Sequence, residues 1–281
     1  MTSSADPRYA RDMVERLDRD RFLLLRLVPE DRQDALAALF AFNLEVARIR
    51  ETVSETMLGE IRLQWWRDAL DGIEAGTPRH HPVVQGLARA IALHDLPRAL
   101  FDRLIDARAR DLDDSPFATV WDQEDYLDAS NGGLMVLAGR ILGAGDEASE
   151  ATLRAIGLAH GLIGLMRAMP VLLQLRRAVL SLDAMAEAGL SPDALRAARP
   201  GPELRPAVEA CLRRAETALA VARRQNRRAD KAIRPLCALG AVARHAAGRL
   251  RRAGYDPFDP RMAPEDGIPL SVTLRILFGR W

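Results

Sequence analysis

Lysine is nearly absent from this 281-residue chain: Lys231 is the only one, and the remaining basic side chains are arginines. We read this as codon bias in a GC-rich genome before any selection for bidentate anion binding. Excess charge of either sign is also missing, with 40 basic residues against 39 acidic ones, so net charge points to neither nucleic acid nor an anionic surface as partner. Cysteine is scarce. Cys211 and Cys237 sit inside helical patterns without metal-ligand spacing, which favours buried free thiols in a reducing compartment over a disulfide or a zinc site. The opening MTSSADPRYARDMVERLDRDR has no apolar core of a secretory signal, and no run of about eighteen uncharged apolar residues is present to span a bilayer. The expectation is a soluble or peripheral protein. Alternating strand patterns and fixed-period repeats are lacking too.

What is present is helical periodicity, carried by 48% hydrophobic residues, enough for a sizeable core. The expected class is all-α, with one domain over residues 1–281. Between Asp34 and Leu70 two helices meet at a short turn. Ala35, Leu39, Phe42, Val46 and Ile49 make one apolar stripe, while Glu45, Arg48 and Glu51 share a neighbouring face. Ser54 is placed to cap the second of these helices, whose apolar side is read as Met57, Ile61, Trp65 and Leu70. Pro7 to Leu27 reads as a broken helix, and Glu30, Asp31 and Asp34 favour a new helix start after Pro29. Further helices are expected over 83–93, 97–112, 121–142, 207–231 and 235–252.

Several groups invite a chemical reading. His80 and His81 are adjacent in a breaker-rich loop with no third ligand, a weak metal signal. Asp111, Asp113 and Asp114 precede Ser115 and Pro116, where Asp side chains commonly bond their own backbone. Ser130 to Gly133, SNGG, permits close approach of a neighbouring helix or a ligand. Ala151 to Leu175 is the most apolar helix and is expected at the centre, interrupted by Pro170 unless a neighbour takes up the freed carbonyl. Its His160, Arg167 and Gln174 recur every seven residues, on one stripe. A buried Arg167 needs an acidic partner, and Glu45 and Glu51 are the candidates. The closing LSVTLRILFGRW is amphipathic, suited to covering the domain or touching a membrane.

The order of FAFNLEVARIRE, LQWWRD, the SNGG helix, GLAHGLIGLMRAMP, RRAVLSLD, AGLS and LRRAGYDPF resembles the squalene/phytoene synthase family over nearly the whole chain. The resemblance implies a single helical bundle around a central cleft, in which two Asp-rich motifs hold magnesium ions that bind a prenyl diphosphate. Matched position by position, the first motif's acids fall on Ala47, Arg48 and Glu51. The second motif's Asn and two Asp fall on Gly164, Ala168 and Leu172, with Arg167 matching the Arg before the first of those acids. A single carboxylate facing arginines does not hold a magnesium cluster.

FNLEVARIRETVSE, IRLQWWRDAL and RRAVLSLD resemble the branch that includes a mitochondrial assembly factor for respiratory complex I. This implies a non-catalytic factor in assembly of a membrane respiratory complex, in a bacterial cytoplasm or peripheral to the inner membrane. A membrane-complex subunit or an isoprenoid lipid is then the expected partner, with no nucleic acid and no cofactor. The cleft residues are Glu45, Arg48, Glu51, His160 and Arg167, with no catalytic residue or metal ligand assigned; salt bridges between these arginines and glutamates would replace the metal. The alternative is a divergent prenyl transferase acting on farnesyl or geranylgeranyl diphosphate, needing magnesium or a direct arginine grip on the diphosphate. A third reading is a lipid tunnel lined by Phe40, Phe42, Leu63, Leu134 and Leu165.

Overall fold

Caps and breakers in the sequence set the helix ends. Helix α1 (Pro7–Leu17) stops just before Asp18, whose carboxylate accepts from the Arg21 amide at 3.0 Å and starts α2 (Arg19–Leu27). Pro29 separates α2 from α3 (Glu30–Ala47), which opens on Glu30 and Asp31. The chain breaks at Arg48, and one more turn, α4 (Ile49–Thr52), leads to α5 (Thr56–Glu74). Then come α6 (Pro82–His94), α7 (Arg98–Ala109) and a 3₁₀ turn at Arg110–Leu112. Helix α8 (Val120–Leu127) starts from a reciprocal cap between Thr119 and Asp122, and a π turn, Asp128–Gly132, joins it to α9 (Gly133–Ile141). The 28-residue α10 (Glu147–Gln174) follows, capped by Asp146. Helices α11 (Leu182–Glu187), α12 (Pro192–Arg196), α13 (Leu204–Gln225) and α14 (Ala238–Arg252) complete the set.

This is a computed structural model, and it describes residues 7–53, 55–175, 177, 179–196, 202–263, 272, 273 and 276. Among them there is no strand, as the sequence leads one to expect. Ser54 and most of the closing amphipathic stretch lie outside the described residues; of that stretch, Val272 is buried and Ile276 packs on the core.

The core has two parts. One gathers α3, α5, α6, α7 and α9; the other gathers α10, α13 and α14. Helix α10 joins them, giving Leu153 and Ile156 to the first and Ala159 through Met169 to the second. Its length and composition would suffice to cross a bilayer, although Arg154 and Arg167 break its apolar run; here it packs against α9, α13 and α14 as the central helix. Pro170 does not interrupt it. The single stripe expected on α3 is too narrow a reading, because every residue from Leu36 to Leu44 is buried. Gly157 lets α10 lie directly on the π turn: a Cβ there would come within 2.6 Å of the Asn131 carbonyl oxygen. Close helix packing is therefore the role of SNGG that the structure displays.

Candidate functional site

At the junction of α1, α3, α4 and α5 the chain forms an open pocket of about 410 Å³. Met13 and Leu17 of α1 with Leu44 and Ile49 form its apolar wall, and Trp65, Trp66 and His81 its aromatic one; Glu45, Arg48 and Arg62 bring charge. The break at Arg48 lies at the edge of this pocket, between Glu45 on α3 and Ile49 on α4. The His81 ring meets Trp65 and Trp66 edge to face at 5.5 and 6.0 Å, and Arg79 caps the Trp65 ring at 5.2 Å.

Among the described residues, His81 is the one ion-pair partner within reach of Glu45. His81 Nε2 is 3.8 Å from its carboxylate, and burial keeps that imidazole biased towards its neutral form. Burial also pushes the Glu45 carboxyl up to about 7. Arg48, one turn on, pairs with Glu51 at 3.3 Å, and Arg62 donates to the Thr52 hydroxyl at 2.7 Å. Of the expected site residues, this pocket collects Glu45 and Arg48, with Glu51 paired to Arg48.

His160 and Arg167 are gathered elsewhere, and the expected partnership of Arg167 with Glu45 or Glu51 is not what forms. Arg167 Nη1 donates to Asp20 Oδ2 at 2.9 Å, and His160 Nε2 lies 3.1 Å from the same oxygen. Helix α2 thus supplies the carboxylate that the α10 stripe requires. Burial by itself would raise the Asp20 carboxyl, but the hydrogen bond from His160 and the charges of His160 and Arg167 hold it well below the usual carboxylate range. The next residue, Arg21, is buried and spans from Asp18 at 2.6 Å to Asn131 Oδ1 of the π turn at 2.9 Å. Sequence reasoning missed Asp20 and Arg21. Their only signal was the run of alternating charges DRDR, which reads as ordinary surface.

The other suspected groups are structural. Asp111 joins Arg108, Arg177 and the Tyr126 hydroxyl at 3.2, 2.7 and 2.9 Å; Asp113 accepts from the Ser115 amide at 2.8 Å; Asp114 meets Arg50 at 3.1 Å. His80 is exposed, whereas His81 turns into the pocket. The expected tunnel does not form as one lining: Phe40, Phe42, Leu63 and Leu134 belong to the first core, with Phe42 edge to face on Trp66 at 5.0 Å, and Leu165 packs on the second.

A helical bundle of this layout is shared with solved prenyl synthases. A squalene synthase from Alicyclobacillus acidocaldarius superposes with a TM-score of 0.79 at 23% identity, over 90% of this chain and 95% of that one. A ligand-bound dehydrosqualene synthase gives 0.82 at 16% identity, over 97% and 94%. The squalene/phytoene synthase family model matches residues 14–270, and the chain belongs to that family. Among named relatives, the NADH dehydrogenase (ubiquinone) complex I assembly factor 6 of Mus musculus is 26% identical over 268 residues, 95% of this chain and 80% of that protein. The protein of the same name from Bos taurus is 31% identical over 191 residues, 68% of this chain and 57% of that protein. The resemblance to the family and to that branch is thereby borne out.

Proposed function

We propose that this chain keeps the synthase bundle without its metal chemistry and serves in assembly of a membrane respiratory complex of the complex I kind. One observation carries the reading. Of the positions matched to the family's acidic residues, only Glu51 is a carboxylate, and it is engaged by Arg48 at 3.3 Å. Gly164, Ala168 and Leu172 on α10 offer no side-chain oxygen. Magnesium requires several oxygen ligands and is repelled by an adjacent guanidinium, so this donor set does not fit it. The relatives' names support the assembly role, and the exposed Met57, Leu58 and Ile61 on α5 are consistent with work beside a membrane complex on the cytoplasmic side. Neither a cofactor nor a prenyl diphosphate belongs to this role.

The test is genetic and biochemical. Deleting the gene in its own host should lower the amount of intact NADH dehydrogenase complex on native gels, and the wild-type chain should restore it. Unchanged levels of the complex would contradict the role.

A further inference from the structure

The cavity beside Glu45 contains an unmet demand for positive charge. Its carboxylate side chain is 21% exposed, His81 is 3.8 Å away and biased to the neutral form, and Arg48 has turned to Glu51. A carboxylate taken out of water must either hold a proton or gain a cation. The indoles nearby are already engaged, Trp65 by Arg79 at 5.2 Å and Trp66 by Phe42 and His81, so Glu45 is the group left to take a cation.

The same cavity has an opposite need. Arg62 has no carboxylate partner among the described residues, only the Thr52 hydroxyl at 2.7 Å, so its guanidinium can grip an anion. The remaining wall, Met13, Leu17, Leu44 and Ile49, is apolar. On α5, Ile61 and Met57 lie one and two turns before Trp65, which lines the pocket, and they are 58% and 66% exposed. An apolar track therefore leads along α5 to a cavity with separate sites for a cation and an anion.

We propose that this cavity binds a zwitterionic amphiphile of the phosphoethanolamine class. Glu45 takes the primary ammonium, Arg62 takes the phosphate, and the apolar wall with the α5 track takes the chains. Both charges are needed, because an anionic lipid would leave Glu45 unmatched and an alkylamine would leave Arg62 unmatched.

The test uses the full chain and probes kept below their micellar concentrations, read by tryptophan fluorescence and thermal shift at pH 7.5. Dihexanoylphosphatidylethanolamine should bind. Dihexanoylphosphatidic acid, which lacks the ammonium, and dodecylamine, which lacks the phosphate, should each bind about tenfold more weakly, the scale of one charge-assisted hydrogen bond. Free phosphoethanolamine, lacking the chains, should give no shift, and a shift as large as the lipid's would overturn the amphiphile reading. Glu45→Gln should remove the preference for the ethanolamine lipid over the phosphatidic acid. Arg62→Gln should remove its advantage over dodecylamine, with circular dichroism confirming the fold of both variants. Equal binding of all the amphiphiles, binding unchanged in both variants, or no binding of the ethanolamine lipid would each overturn the assignment.

Discussion

Glu45 and Asp20 are both carboxylates withdrawn from water, and their neighbours push them in opposite directions. Glu45 has only burial acting on it, so its carboxyl rises from 4.5 to about 7. A raised carboxyl favours the folded state while protonated. That favour fades as pH climbs from the unfolded value through about 7, above which the folded chain carries the full cost. Glu45→Gln should therefore stabilise the fold at pH 8, by an amount on the order of 2 kcal/mol, and change little at pH 5. An equal effect at both pH values would deny that Glu45 is desolvated. Asp20 is depressed by His160 and Arg167, so its contribution is present at neutral pH and is lost only in acid. A double-mutant cycle of Asp20→Ala with Arg167→Ala should show coupling of about 1 kcal/mol, modest because Arg167 is 38% exposed, while Glu51→Ala with Arg167→Ala should be additive. The reverse pattern would restore the pairing expected from sequence. That Arg167 needs a carboxylate was legible from its place on an apolar helix. Which carboxylate answers it was not, because Asp20 lies 147 residues away and nothing local marks it.

At the scale of elements, α10 and the π turn are held together by an absence of side chain. Gly157→Ala would drive a methyl into the Asn131–Gly132 backbone at 2.6 to 2.8 Å and should cost about 2 kcal/mol or more, since backbone does not yield cheaply. Gly164, on the same helix, has nothing within 4 Å, and Gly164→Ala should be neutral or stabilising by up to about 1 kcal/mol. Chemical denaturation of the two variants checks both signs. Most helices were readable from periodicity and breakers. The phase of α5 was not: Met57, Ile61 and Trp65 also recur at helical spacing, yet the buried side is Gly59, Leu63, Trp66 and Leu70. Two apolar faces share that helix, and only the neighbours decide which is covered. The face left over borders the pocket, which is why Arg62 and Trp65 were not read from the sequence as its wall, although Glu45 and Arg48 were.

Over the whole molecule, one helix serves two cores, so the bundle should unfold as a unit. Because α10 contributes Leu153 and Ile156 to one core and Leu162 and Met166 to the other, Leu162→Ala should lower the midpoint of every probe together, by about 3 kcal/mol in stability. The family's shape is preserved at TM-scores near 0.8 against solved synthases. Family membership was legible because whole motifs survive in order; of the pocket, Glu45 and Arg48 were legible, whereas its walls were not, because they come from α1 and α5, far apart in the chain.

The central claim, a synthase bundle without synthase chemistry, is tested most directly by incubating the pure protein with farnesyl and geranylgeranyl diphosphates, with and without magnesium, and assaying for condensed product and released diphosphate. The account predicts neither product nor diphosphate under either condition. Magnesium-dependent turnover would contradict it.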